Sequence, residues 1–282
     1  MMQNLRIIAI ALLTGVAIFA PGAIAAPGVA FVTDLKGDAT ADGARLTLMT
    51  EVADGQKVIV SPNGSASVMF VQSGDEYALA GGGQYSIRKN EVTPETGGGV
   101  VKRSTAWRPD LGRVADISKS ATASLRMRGL PAQPPASAPD GSFQAIYPSA
   151  GKIATVQPVL RWSPIAGQKS YTISVSLGDK QVHTAKANGD SFKLPIKLAA
   201  DSQYTWTVSA GEQQAKAQFA TPSADELKRL AAAKPGTRAT FSDHLLYAIT
   251  LQTLGAMQDA KAYWQTLAVQ RPEVPELAVL AK

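Results

Sequence analysis

The chain has 282 residues, with 28 Lys+Arg against 22 Asp+Glu, two histidines, no cysteine and a 45% hydrophobic share. That share is enough to build packed cores and excludes global disorder. The missing thiols exclude disulfides, thiolate zinc sites, iron–sulfur clusters and cysteine nucleophiles, and His183 and His244 alone leave little for an imidazole-dependent metal site or triad.

With 24 Gly and 17 Pro, this length favours several small domains over one large one. Residues 1–25 have the form of an export signal. Arg6 supplies the positive start, an apolar run extends from Ile7 to Ala20, and Pro21-Gly22 precedes the small residues of Ala23-Ile24-Ala25. The run falls short of the roughly 20 residues that span a bilayer. Cleavage into the periplasm or the medium is therefore expected, with a retained inner-membrane anchor as the alternative. An exported chain without cysteines points to the bacterial envelope.

From residue 28 to 101 the pattern is short strands cut by turns. Five are expected, at Ala44–Leu48, Val58–Val60, Ala66–Val71, Glu76–Leu79 and Gln84–Arg88. Pro62-Asn63-Gly64 is a turn because proline presets φ while Asn-Gly accepts positive φ. Asp54-Gly55 before a short strand, Pro62-Asn63-Gly64-Ser65, the alternating Ala66–Phe70 and then Gly74-Asp75-Glu76-Tyr77-Ala78-Leu79 together resemble the FecR periplasmic domain. Val52-Ala53-Asp54-Gly55 departs from that family's leucine-x-x-Gly-Asp entrance. Signalling members carry an anti-sigma segment before their membrane span, and the six residues ahead of the apolar run here do not carry that activity over.

Residues 102–142 are expected to be a basic linker ending in the proline-dense Leu130–Pro139, an extended spacer. Lys102, Arg103, Arg108, Arg113, Lys119, Arg126 and Arg128 concentrate positive charge there. They are either a solvated face or contacts to anionic envelope polymers and headgroups. Nucleic acid is not expected as a partner, because Trp107 alone makes no stacking platform.

Residues 143–222 alternate cleanly. Leu160 and Trp162 point inward before Pro164, Tyr171, Ile173 and Val175 share a face, and Leu198 stands six residues before Tyr204-x-Trp206-x-Val208. The Trp-Ser-Pro, Tyr-Thr-Ile-Ser-Val and Leu-x5-Tyr-x-Trp-x-Val succession resembles a fibronectin type III domain. That resemblance makes Trp162, Tyr171 and Tyr204 core or corner residues.

Residues 223–282 are helical. Ser223 with Glu226 forms a capping box for a helix ending at Pro235-Gly236, Ser242 is expected to cap a second, and Asp259–Gln270 forms a third before Pro272. Ala248, Gly255, Ala260, Trp264 and Pro272 make residues 241–274 resemble a single tetratricopeptide repeat, with Leu267 where that family has alanine. A lone repeat cannot cover its own faces. The cover comes either from the flanking helices at 223–233 and 276–281 or from a partner.

Chemistry is sparse. Ser149-x-x-Lys152 lacks the companion motifs of penicillin-binding enzymes, Gly81-Gly82-Gly83 precedes a strand rather than a helix N-terminus, and Asp38, Asp42 and Asp75 do not space as a calcium loop. No catalytic residue, metal ligand or cofactor is assigned. The expected fold class is mainly β: a small FecR-like all-β domain and a fibronectin type III-like β-sandwich with a short α-helical tail. The expected role is an exported, non-catalytic binding or scaffold module with an envelope protein as partner. The alternatives are a peptidoglycan or glycan binder and a FecR-type signalling component on a retained anchor.

Overall fold

The computed structural model describes residues 28–104, 117 and 143–282. The export signal and the connector between Ser104 and residue 143, Ile117 excepted, lie outside the described residues. No helix among the described residues is long and apolar enough to cross a membrane.

The protein is mainly β. Its first unit has ten strands: β1 (Gly28–Lys36), β2 (Ala39–Ala41), β3 (Ala44–Arg45), β4 (Glu51–Ala53), β5 (Lys57–Val60), β6 (Ser65–Phe70), β7 (Asp75–Ala80), β8 (Gln84–Ile87), β9 (Val92–Thr96) and β10 (Val100–Ser104). They form two five-stranded antiparallel sheets, β10-β7-β6-β1-β4 and β3-β2-β5-β8-β9. Val32, Val68, Phe70 and Leu79 of one sheet share a core with Val58, Val60, Tyr85 and Ile87 of the other. At Gly81 an added Cβ would fall 2.5–2.6 Å from the carbonyl oxygens of Gly64, Pro62 and Ser61. Two turns therefore meet backbone to backbone there, which requires glycine.

Three sequence expectations are corrected here. The unit has ten strands rather than five. β1 is the largest omission, because Ala30, Phe31, Val32 and Thr33 are consecutively buried and a strand covered on both faces shows no alternation. The strand expected over Ala44–Leu48 stops at Arg45. Leu46 N–H still donates to the Ala39 carbonyl at 2.8 Å, but Leu48 and Met49 are buried from a turn in which Thr47 N–H donates to Thr50 Oγ1 at 3.0 Å, so their spacing serves packing rather than strand pairing. The unit also extends past residue 101, since β10 pairs with β7 through Ser104 and makes Lys102 and Arg103 strand residues.

The second unit is a β-sandwich of two antiparallel sheets. One sheet is β11 (Ala145–Tyr147), β12 (Val159–Trp162) and β15 (Ser191–Lys193). The other is β14 (Lys180–Asn188), β13 (Ser170–Leu177), β16 (Gln203–Ala210) and β17 (Gln213–Ala220), in those spatial orders. Leu160, Trp162, Tyr171, Ile173, Val175, Trp206 and Val208 fill the space between them. Tyr204 is buried, and its hydroxyl accepts the Ala199 N–H at 2.9 Å, fixing the corner before β16.

Four helices follow: α1 (Ala224–Ala233), α2 (Phe241–Thr253), α3 (Met257–Gln270) and α4 (Pro275–Leu280). The Ser223–Glu226 capping box forms as expected. α2 starts earlier than expected, capped by Thr240 rather than Ser242, because Thr240 and Asp243 make a reciprocal box with aspartate in the glutamate position. α3 begins at Met257, two residues before Asp259.

The tail finds its cover inside the molecule. Leu245, Ile249, Trp264, Leu267 and Leu277 form one core with Phe31, Leu48, Met49 and Met69 of the first unit, and Ile117 joins them. Phe31 and Met69 are cross-strand partners, so the first sheet has an apolar face on each side, one for its sister sheet and one for the helices.

The corner tyrosine gives a test of the sandwich. Tyr204→Phe removes the acceptor for a backbone N–H and is expected to cost about 1–3 kcal/mol in denaturant unfolding. An unchanged midpoint would show that the hydroxyl bears no load.

Candidate functional site

The tail-facing side of the first sheet carries a row in which Arg103, Glu76, Met69 and Phe31 stand opposite one another across β10, β7, β6 and β1. Apolar burial at one end of the row is thus continued by charge at the other. Glu76 is buried; it accepts from Thr33 Oγ1 at 2.6 Å and from Arg103 Nε at 3.0 Å. Arg103 Nη1 donates to both Asp243 carboxylate oxygens at 2.7 and 3.0 Å, and Nη2 donates to Thr240 Oγ1 at 3.2 Å. One guanidinium therefore joins β7 to the cap of α2, its planar fork suited to two carboxylates.

A second cation closes the same seam. Arg271 donates to Asp34 Oδ1 at 2.9 Å and to the Leu35 carbonyl at 2.8 Å, pairs with Glu273, and lies 4.6 Å from the centroid of the Phe241 ring. On its other side the tail meets the sandwich. Tyr147 Oη and the Ala154 N–H donate to Asp259, Lys152 pairs with Glu226 at 2.6 Å, and Gln258 bonds Ser149.

Between the first unit and α4 lies a cavity of about 380 Å³, lined by Leu35, Gly37, Asp38, Arg45 to Leu48 and Glu273 to Glu276. Asp38 and Arg45 pair with each other at 2.9 Å on its outer side. Glu276 is 8% exposed, and its carboxylate forms no hydrogen bond or ion pair among the described residues. This is the candidate site: a space with apolar and polar walls in which the Glu276 carboxylate has no partner among the described residues.

The residues proposed from sequence are distributed differently. Lys102 pairs with Asp75 at 2.9 Å and lies 5.6 Å from the Tyr77 ring centroid, and Arg103 is engaged in the seam. Arg108, Arg113, Lys119, Arg126 and Arg128 lie outside the described residues. His183 stacks on Phe192, while His244 Nδ1 meets Tyr263 Oη at 2.7 Å, so the two imidazoles belong to different units. Among the described residues no group of three or more His, Asp or Glu gathers to hold a metal. Sequence reasoning missed Glu76, Asp243, Arg271 and Glu276. The Arg103–Asp243 bond joins residues 140 positions apart, and the available signal was local: charged residues on strands otherwise reading as buried, and an overlooked capping aspartate.

No protein-family model matches the chain, and no curated protein matches it. Among solved structures it is similar to the chicken CNTN1 FN1–FN3 domains, at 8% identity over 70% of this chain and 58% of that one, with a TM-score of 0.20. It is also similar to a three-Ig structure of titin domains I67–I69 in an E-to-A mutated variant, at 10% identity over 67% of this chain and 54% of that one, with a TM-score of 0.18. The chain spans less than two thirds of either.

The two seams differ in how acid acts on them. Burial opposes ionisation of Asp243, but the Thr240 N–H and the Arg103 guanidinium outweigh it and hold the carboxyl below its ordinary 3.8. That stabilisation is present above 3.8 and is lost as the pH falls through the depressed folded value. Burial raises the Asp259 carboxyl against weaker lowering by Tyr147 and Ala154; its contribution is fully present below 3.8 and is lost as the pH rises through the raised value. Acidification below 3.8 is therefore expected to increase hydrogen exchange at the start of α2 before the Asp259 contact loosens, and simultaneous loss at both would refute the difference. Arg103→Met is expected to cost about 1–3 kcal/mol in unfolding, given partial exposure of the pair.

Proposed function

We propose that this protein is an exported, non-catalytic binding or scaffold component of the bacterial envelope that engages a protein partner. The observation that carries this reading is the double engagement of the tail, which holds two recognition-type β units as one block. The block's large aromatics, Trp162, Trp206 and Trp264, are spent on its own cores. The FecR-like residues of the first unit and the fibronectin-like sandwich support a binding role, and the sequence signal supports export. The tetratricopeptide-like pair spends its apolar face on the first unit, so a partner meets the remaining surfaces.

A second reading, glycan binding, draws on the outer face of the four-stranded sheet. Strand registers set Thr172, Ser174 and Ser176 beside Ser209, Thr207 and Thr205, with Lys186 on one flank and Lys216 on the other. This hydroxyl- and amine-bearing face has donors and acceptors for sugar hydroxyls and carboxylates.

Mass spectrometry of the exported protein is expected to find Ala26 at the N-terminus; retention of Met1 would favour an anchored component. In-cell crosslinking is expected to yield a discrete protein partner that persists when Arg108, Arg113, Lys119, Arg126 and Arg128 are all changed to Gln. Salt-sensitive sedimentation with purified sacculi that is lost in that variant or when Lys186 and Lys216 are changed to Gln, with no protein crosslink, would replace the scaffold reading by the glycan reading. The substitutions leave β10 and Ile117 intact, which a deletion from residue 101 would not.

A further inference from the structure

We propose that the cavity between the first unit and α4 is a binding site for a primary ammonium group carried on an unbranched aliphatic stem, with Glu276 as its counter-ion. The charges around the cavity are matched except for one. Arg45 is met by Asp38, and Glu273 by Arg271. Glu276 has no such partner, although it is more than nine-tenths buried.

The Glu276 carboxylate oxygens remain accessible, so a cation entering the cavity reaches them and gains a charge-assisted hydrogen bond with the counter-charge the carboxylate lacks. A divalent metal is disfavoured because one carboxylate does not supply the several oxygen ligands such ions take. Leu35, Leu46, Leu48 and Val274 line the space, so the ligand that satisfies both features has a methylene stem and a cationic tip. The volume of about 380 Å³ lies in the range of small-ligand sites. A free alkylamine and a lysine side chain present the same chemistry.

The test is calorimetry on the full exported chain with pentylamine, cadaverine and Nα-acetyl-lysine amide, against 1-pentanol and pentanoate. The amines are expected to bind at least roughly tenfold more tightly than the neutral and anionic analogues, and Glu276→Gln to remove roughly tenfold or more of that affinity. Tighter binding of the lysine amide than of cadaverine assigns the site to a peptide lysine, and the reverse order to a diamine. Equal binding of pentylamine and pentanol, full retention in Glu276→Gln, or no amine binding at concentrations on the order of 10 mM overturns the proposal. The analogue comparison uses the unaltered protein and stands even if the variant fails to fold. The inference goes beyond the scaffold reading, and the crosslinking and sacculus experiments succeed or fail independently of it.

Discussion

The architecture depends on the burial of a second apolar face on the β10-β7-β6-β1-β4 sheet. Phe31 and Met69 point away from the core that this sheet shares with its sister, and in an isolated unit they would face water. Side chains of this size contribute about 1.5–3 kcal/mol each when fully buried, so uncovered they would be a considerable liability for a small unit. The helical tail removes that liability and has its own covered by the same contact. Leu245, Ile249 and Trp264 lie in the same cluster as Phe31 and Met69. The helix pair, too short to bury both its faces alone, is thus covered by the sheet together with Leu230 of α1 and Leu277 of α4.

Apolar burial is non-directional, and the orientation of α2 on the sheet comes from the polar end of the same cross-strand row. Glu76 sits under the tail with Thr33 on one oxygen and Arg103 on the other, and Arg103 has donors left for Asp243 at the start of α2. Sliding the helix by one turn would carry Asp243 about 5.4 Å along the axis and leave Arg103 and Glu76 to compensate each other alone. Arg271 does the equivalent at the far end of the tail, where its side chain is held by Asp34, a backbone carbonyl and the Phe241 ring. Two arginines thus bracket the apolar contact and select one placement among those that burial alone would allow.

How much of this was legible in the sequence depended on the range of the cause. Within the sandwich the sequence showed β12, β13 and β16, where burial alternates and Tyr171, Ile173 and Val175 announce it at spacing two. β11 and β15 are too short to show a period, and β14 and β17 bury mostly alanine, a weak apolar signal. The α1 cap was equally plain in Ser223 and Glu226. The first unit was read in part. β5, β7 and β8 carry turn signals at their ends, whereas β1 is covered on both sides and has no periodicity to find. The seam was not legible, since Arg103 beside Lys102 looks the same whether it faces solvent or a carboxylate 140 positions later. The local clue was Glu76, an acid between strand residues that otherwise read as core.

The candidate cavity is a consequence of the same docking. Its walls come from two sources, Leu35, Gly37, Asp38 and Arg45 to Leu48 of the first unit on one side and Glu273 to Glu276 of the tail on the other, and it exists only while the two are in register. Whatever occupies it binds the docked arrangement and not the undocked one. By mass action such a ligand stabilises docking by RT ln(1 + [L]/Kd), about 2.7 kcal/mol at a hundredfold excess over Kd. That is comparable to what one buried aromatic supplies, so the contact that holds the tail and the contact that would hold a ligand act on a single equilibrium. The tail also grips the sandwich through Asp259 and Glu226, so the element that walls the cavity is the one that holds the second unit. The same helices therefore face both β units, the first through the Phe31–Met69 face and the sandwich through Tyr147 and Lys152.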